Sequence, residues 1–439
     1  MGLNDVVSAD RVHIGFFGMR NAGKSSVVNA VTGQSLSVVS EIKGTTTDPV
    51  KKSMELLPIG PVVIIDTPGL DDEGTLGELR VKKAREILNQ TDIAVLIVDL
   101  TKGMSKEDEE LTELFKERQI PYLVVYNKAD LAGDKTDTVN ITTNVGKLNE
   151  QLTNDGTTSV SGLNEPSANV KSKNEGKTIQ VSALTGEGIF ELKEALGDFA
   201  RANKKEEKFI VVDLLKPGDL VVLVIPVDES APKGRLILPQ QLVMRELLDH
   251  HHAFVSCQDT ELKETLCKLS EKPALIITDS QAFEKVSQDT PEDIMLTSFS
   301  ILMARYKGGL QTQINGARKL SSLQDGDTVL ISEGCTHHRQ CKDIGTVKMP
   351  GWIEGFTGKK LNYKFTSGGE FPDDLSGISL VVHCGGCMLN ENQMKARVKT
   401  AVKAGVPIVN YGIAIACMHG ILSRSLEVIE KHEENKEGN

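Results

Sequence analysis

One run near the start of this chain constrains its fold more than any other. Val12-His13-Ile14-Gly15-Phe16-Phe17 reads as a short buried strand that passes directly into Gly18-Met19-Arg20-Asn21-Ala22-Gly23-Lys24-Ser25. Ser26 to Thr32 then reads as helix, and Gly33 closes it. Strand, G-x-x-x-x-G-K-S and helix in immediate succession is the context of a phosphate-binding loop. Glycine at positions 18 and 23 lets the backbone curl so that the N–H groups around Asn21, Ala22, Gly23 and Ser26 face a phosphate, and the helix N-terminus adds partial positive charge. Lys24 is expected at the β- and γ-phosphates and Ser25 on Mg²⁺.

Three further segments follow in order. Val62 to Ile65 is a buried strand ending at Asp66-Thr67-Pro68-Gly69, where Asp66 can hold the Mg²⁺ shell through water and the Gly69 N–H can touch a γ-phosphate. Tyr122 to Tyr126 is a strand ending at Asn127-Lys128-Ala129-Asp130. A carboxylate at Asp130 can accept from the guanine N1–H and N2–H₂; adenine lacks these donors and would leave it unpaired. Ile179-Gln180-Val181 leads to Ser182-Ala183-Leu184, a loop placed to close over the base.

Four such motifs, each at a strand end, resemble the translation-factor-like class of small GTPases, near the tRNA-modifying and Era-like members, over roughly residues 9–203. The resemblance implies GTP and Mg²⁺ as ligands, with switch I at Gly44-Thr45-Thr46-Thr47-Asp48. Thr46 is then the Mg²⁺ and γ-phosphate contact, with Thr45 second, and Lys24, Thr46 and Gly69 form the catalytic set. Leu70 stands where Ras-like proteins place a catalytic Gln, and a Leu cannot orient water, so slow intrinsic turnover is expected. Asn21 matches the Asn of relatives activated by K⁺, although a loop residue in left-handed geometry reads the same way.

Composition bounds the rest. The 439 residues carry a net charge of −11 and a pI near 5.5, which argues against nucleic acid as the main partner. No apolar run approaches the ~20 residues of a membrane span. Met1-Gly2-Leu3-Asn4-Asp5 has neither the basic start nor the apolar core of a signal peptide, and seven cysteines, an odd number, are no disulfide framework. A reducing cytoplasm is the expected compartment. Asp134 to Lys177 contains no aromatic, Cys, Met, His or Arg and is expected to be a disordered insertion, with a short helix possible near residues 145–152.

After the charged stretch 204–208, strands and helices alternate: strand 220–225, helix 240–249, strand 253–257, helix 260–269, strand 274–278. This predicts a small, mainly parallel sheet with helices, so the fold class is α/β throughout: a P-loop domain followed by two smaller α/β domains. His250-His251-His252 reads as a surface helix terminus, and Cys257, Cys267 and Cys417 as core residues. In the last third, strand 327–332 ends at Glu333-Gly334-Cys335-Thr336-His337-His338, and strand 378–382 ends at His383-Cys384-Gly385-Gly386-Cys387. Asn390 caps a following helix with Gln393 three residues on, and Met394, Val398 and Val402 form its expected apolar stripe. Carboxyl ends of parallel strands share a crevice, so the cysteines can meet in space. Alone, Cys384-x-x-Cys387 also fits a redox dithiol or half of a zinc site.

The pattern Cys335-x-His337, forty-five residues, His383-Cys384-x-x-Cys387, joined to an N-terminal GTPase, resembles the HydF family of FeFe-hydrogenase maturation GTPases. That resemblance implies a GTPase domain at 1–203, a dimerisation domain at 207–302 and an iron–sulfur domain at 303–439. It also implies a 4Fe–4S cluster on Cys335, Cys384 and Cys387, with His337 or His383 as fourth ligand. Lys342 stands where some relatives carry a carboxylate ligand, and Cys341 reads as a non-ligand. The implied role is a homodimeric scaffold carrying the diiron precursor, loaded by radical-SAM maturases and delivering to apo FeFe-hydrogenase, with no nucleic acid and no membrane involved. The rival reading is a ribosome- or tRNA-linked GTPase with a structural zinc.

Overall fold

A computed structural model describes residues 11–34, 50–67, 86–131, 177–202, 208–227, 236–334 and 343–437. The chain forms two compact units, one of Val12–Lys204 and one made mainly of Lys205–Asn439. Most of the proposed insertion, including residues 145–152, lies outside the described residues.

In the first unit the described strands are β1 (Val12–Gly18), β2 (Val50–Leu56), β3 (Gly60–Asp66), β4 (Ile93–Asp99), β5 (Tyr122–Asn127) and β6 (Lys177–Gln180), ordered β2-β3-β1-β4-β5-β6. Only β2 runs antiparallel, against β3. Central parallel strands bury both faces, which is why they read as unbroken apolar runs. Alternate residues feed two cores: Ile14, Phe16, Ile93, Val95 and Ile97 on one side, and Phe17, Ala94, Leu96 and Val98 on the other. Helix α1 (Lys24–Thr32) packs into the first core and ends at Gly33, whose φ of 65° suits a residue without Cβ. Helix α2 (Lys106–Glu117) starts on a capping box between Ser105 and Asp108, and α3 (Ile189–Ala202) lies against the same core as α1.

The second unit holds two four-stranded, all-parallel sheets among its described residues. One has the order β10-β9-β7-β8, from β7 (Val221–Val224), β8 (Phe254–Cys257), β9 (Leu275–Thr278) and β10 (Met295–Ser298). The other has the order β12-β11-β13-β14, from β11 (Thr328–Ser332), β12 (Asn362–Thr366), β13 (Leu380–His383) and β14 (Ile408–Asn410). The two share one core: Val222, Leu275 and Leu296 join Val329, Ile331, Val382 and Val409 in a single apolar cluster. The last helix of the chain (Leu422–Glu437) returns to the middle sheet, where Thr297 Oγ1 donates to Ser425 O at 2.9 Å. The opposite face of the second sheet, with Leu330, Val381 and Ile408, is covered by Ala401.

Several local expectations change. The helix 240–249 begins at Leu238, with Pro239 in its first turn. Its His-rich end is not wholly a surface feature: His250 caps the helix, but His252 is buried with Nδ1 3.4 Å from Asp219 O. Cys267 is exposed and Cys257 and Cys417 are half-buried, so none of the three sits fully in a core. In the helix capped by Asn390, Val402 is 57% exposed, and the buried residues are Met394, Arg397 and Ala401. The buried face is thus turned by about one residue from the apolar stripe, and it takes a guanidinium inside.

Candidate functional site

The nucleotide motifs gather at the carboxyl ends of the parallel strands of the first unit. Gly18 ends β1 with φ 147°, and a Cβ there would lie 2.3 Å from the Ile97 carbonyl oxygen on β4. Gly23, φ 85°, leads into α1, and a Cβ there would lie 2.1 Å from Asn127 Nδ2. Both positions therefore require glycine. Between them Asn21 is exposed with φ 63°, a conformation Asn tolerates better than most residues. Ser26 lies in the first turn of α1, partly buried.

Ser25 Oγ donates to Asp66 Oδ2 at 2.8 Å, and Lys24 Nζ lies 3.8 Å from Asp66 Oδ1, with both of these side chains nearly buried. Asp66 Oδ1 is buried and accepts no hydrogen bond among the described residues. A hydroxyl and a carboxylate side by side, one oxygen unsatisfied, fit Mg²⁺, which prefers hard oxygen ligands. Thr67 Oγ1 donates to Phe16 O at 2.7 Å and ties the β3 exit to β1. Thr46, Gly69 and Leu70 lie outside the described residues.

At the base end, Asn127 joins two loops. Its Nδ2 donates to Ala22 O at 3.0 Å, and its Oδ1 accepts from Ala183 N at 3.0 Å. Ser182 Oγ donates to Asp130 Oδ1 at 2.5 Å, holding one carboxylate oxygen of an otherwise exposed side chain. Lys128, φ 70°, pairs with Asp99 Oδ2 at 2.5 Å. Asp99 is a participant the sequence motifs did not mark. Burial opposes its charge, but hydrogen bonds from Lys128 and Thr101 hold its carboxyl below the usual range.

The cysteine-bearing loops leave neighbouring strands of the second unit. Strands β11 and β13 pair in register Ser332↔His383, and the chain turns away from this pair in opposite directions, to β12 and to β14. The carboxyl ends of two strands at such a switch point form the crevice where open α/β sheets place their sites. Cys384 N donates to Ser332 O at 2.9 Å. Cys384 Sγ accepts from Gly334 N at 3.0 Å and from Gly386 N at 3.3 Å. The residue immediately before Cys335 is thus fixed against the Cys384 sulfur, although Cys335, His337, Cys341 and Lys342 lie outside the described residues. Among the described residues no group of three His, Cys, Asp or Glu is placed to hold a metal ion. The donor set that is described, two half-buried thiols on one turn with a sulfur already receiving two N–H groups, fits thiolate ligation of iron or zinc. Burial and the neighbouring Cys387 push the Cys384 thiol up to about 11, so without a metal it stays protonated; a bound cation reverses that preference.

The structure is at odds with His383 as an iron ligand. The ring is buried; its Nδ1 lies 2.6 Å from Cys384 O and its Nε2 2.9 Å from an Arg397 nitrogen. A carbonyl only accepts and a guanidinium only donates, so the proton sits on Nδ1 and both nitrogens are engaged. Burial, with Arg397 beside it, pushes His383 down to about 3 and keeps it neutral. Two side chains without a motif complete the surroundings. Arg397 approaches from helix α10 (α4–α9 being 238–249, 262–268, 283–289, 299–306, 310–317 and 349–357; α10 Glu391–Lys403). Lys307, just past α7 (Phe299–Tyr306), donates to the carbonyls of Gly386 and Leu389 and sits 3.4 Å from that of Cys387.

Three family models match successive parts of the chain. Residues 13–128 match the family described as 50S ribosome-binding GTPase. Residues 210–308 match the hydrogen maturase F dimerization domain, and residues 311–428 its tetramerization domain. The tRNA modification GTPase MnmE of Desulforamulus reducens is 38% identical over 121 residues, 27% of this chain and 26% of that protein. GTPase Der of Kosmotoga olearia is 34% identical over 131 residues, 29% of each. The chain thus spans about a quarter to a third of the length of these curated relatives. Among solved structures, Aquifex aeolicus Era bound to GDP and aluminium fluoride is 26% identical, covering 43% of this chain and 56% of that one, with a TM-score of 0.33. No helix of the described residues is long and apolar enough to cross a membrane. A GTPase domain followed by both hydrogen maturase F domains places the chain in the hydrogen maturase F (HydF) family of GTPase maturation proteins.

Proposed function

We propose that this chain is a GTP-hydrolysing scaffold that carries a 4Fe–4S cluster, holds the diiron precursor of the FeFe-hydrogenase active site and delivers it to apo-hydrogenase. The observation that carries the cluster half is the hydrogen bond from Gly334 N to Cys384 Sγ, because it brings the approach to Cys335 up to the Cys384–Cys387 turn. Cys335, Cys384 and Cys387 would hold three irons, and the fourth would keep an exchangeable position suited to a labile ligand or a bridge. With His383 engaged at both nitrogens, His337 is the better imidazole for that position.

In the nucleotide half, Ser25, Asp66 and Thr46 would hold Mg²⁺, which would supply positive charge to offset the charge developing on the phosphates. Lys24 and the N–H groups of Gly18, Asn21, Ala22, Gly23 and Ser26 surround the phosphates, with Gly69 at the γ-position. Asn127, Lys128, Asp130, Ser182 and Ala183 hold guanine. Without a Gln at Leu70, turnover is slow, and K⁺ at Asn21 accelerates it. Hydrolysis gates association with partners, namely the radical-SAM maturases and the apo-hydrogenase, in the cytoplasm. The protein works as a homodimer through residues 207–302, with the GTPase at 1–203 and the cluster at 303–439.

The test mixes purified protein with the other maturases and apo-hydrogenase under anaerobic conditions. Wild type should yield active hydrogenase. Cys335→Ser, Cys384→Ser and Cys387→Ser should each abolish that yield while GTP hydrolysis continues. Full maturation by a protein that holds zinc and no iron would overturn the reading and favour a GTPase with a structural zinc.

A further inference from the structure

Helix α10 spends a buried position on a cation. Arg397 is 4% exposed, and its described acceptors are all neutral: Ser332 Oγ at 3.3 Å, His383 Nε2 at 2.9 Å and Gly368 O at 2.5 Å, with the guanidinium 5.4 Å from the Phe371 ring centre. A buried cation without an anionic neighbour is strongly unfavourable, so such a group fits a place where an anion offsets it. The imidazole that Arg397 holds reaches the Cys384 carbonyl at 2.6 Å, so the guanidinium is linked through one ring to the residue whose sulfur a bound metal would make anionic. From the other side Lys307, 3% exposed, bonds to Gly386 O at 2.8 Å and to Leu389 O, and so secures the turn that carries Cys387. Two buried cations, Arg397 on α10 and Lys307 just past the end of α7, therefore converge on one four-residue thiol turn.

We propose that Arg397 and Lys307 are positioning residues that supply fixed counter-charge to an anionic thiolate-bound group on Cys384 and Cys387. Arg397 acts through His383, whose Nδ1–H braces the Cys384 carbonyl. Lys307 acts on the turn directly. The inference rests on the reading that these cysteines bind an iron–sulfur cluster. Fixed positive charge favours the more negative, reduced form of such a group, and net charge nearby is one of the levers on its potential.

The experiment uses full-length protein, reconstituted anaerobically with iron and sulfide, as wild type, Lys307→Met, Lys307→Arg, Arg397→Met and Arg397→Lys. Iron and sulfide per chain are measured first, then the midpoint by EPR-monitored redox titration, then the rate of iron loss to a chelator. The neutral variants should show a more negative midpoint and about tenfold faster iron loss, the scale seen when supporting partners of metal ligands are removed. The charge-retaining variants should restore the midpoint while recovering only part of the retention. If Arg397→Met does not fold, Lys307→Met and Arg397→Lys carry the test. A wild type that takes up no iron defeats the cluster reading. A wild type that loads normally, with Lys307→Met at the same midpoint and the same iron loss, defeats the counter-charge inference alone.

Discussion

The nucleotide site and the cysteine site are built on the same plan and in different chemical languages. Both collect loops at the carboxyl ends of neighbouring parallel strands. In the first, each contributing loop is a short local motif already bonded to another: the side chains of Ser25 with Asp66 and of Ser182 with Asp130, and the Asn127 side chain with the backbone of both Ala22 and Ala183. In the second, two thiols on one turn are supported by a histidine, an arginine and a lysine drawn from β13, α10 and the end of α7. The first is organised before its ligand by hydrogen bonds between hard groups. The second relies on buried charge from residues that have no motif of their own. A site of the first kind can be read from a linear sequence, and one of the second kind only in part.

The largest expected effect is on base choice. Asp130→Asn exchanges the carboxylate acceptor for an amide, which suits the carbonyl of xanthine. The preference between GTP and the xanthosine nucleotide should shift by about 10²–10⁴, since two hydrogen bonds to a charged acceptor are worth roughly 1.5–3 kcal/mol each. Competition binding with both nucleotides measures this, and an unchanged preference would remove Asp130 from the base site.

Next in size is Lys24→Ala, for which we expect hydrolysis to fall by about a hundred- to a thousandfold, the scale of losing one preorganised charge donor to a reacting phosphate. Iron uptake should be unchanged, because Lys24 and Cys384 belong to different compact units. Parallel measurement of phosphate release and iron content separates the two. Loss of iron along with hydrolysis would mean that the sites are not independent in assembly.

The sequence conveyed most of the first unit because its motifs mark strand ends. It did not mark β4, Ile93–Asp99, although that strand is central and wholly buried. None of the nucleotide motifs falls on it, and its signal is only a six-residue apolar run, Ile93 to Val98. Asp99, at its end, was missed for the same reason: its function is a bond to Lys128, visible once β4 and β5 lie side by side. In the second unit, the capping box of Asn390 and Gln393 was legible because it is local. The burial of Arg397 and the exposure of Val402 were not, since a helix's inward face is decided by the sheet and crevice it covers. Likewise, His383 looked available as a ligand in the linear sequence and is engaged by a residue fourteen positions further on.

Two smaller effects sharpen the contrast. Asp99→Asn should weaken GTP binding about tenfold, since a charge-assisted hydrogen bond to Lys128 is worth roughly 1.5–3 kcal/mol and only part of it is transmitted to the ligand. Calorimetric titration with a non-hydrolysable GTP analogue checks this, and unaltered affinity would make Asp99 merely structural. Val402→Lys should change stability by no more than about 0.5 kcal/mol, as for other exposed positions, whereas Met394→Ala should cost about 2–3 kcal/mol. Denaturant unfolding followed by Trp352, the chain's single tryptophan and a residue of the second unit, reports both. Equal losses would restore the helix face that the sequence pattern suggested.

The most direct test of the central claim is metal and sulfide analysis with EPR on anaerobically prepared full-length protein, wild type beside Cys384→Ser. The account predicts close to four irons and four sulfides per wild-type chain, a reduced-cluster signal of the 4Fe–4S type, and loss of that signal in Cys384→Ser while GTP hydrolysis persists. One zinc per chain, no sulfide and no iron signal in the wild type would contradict it.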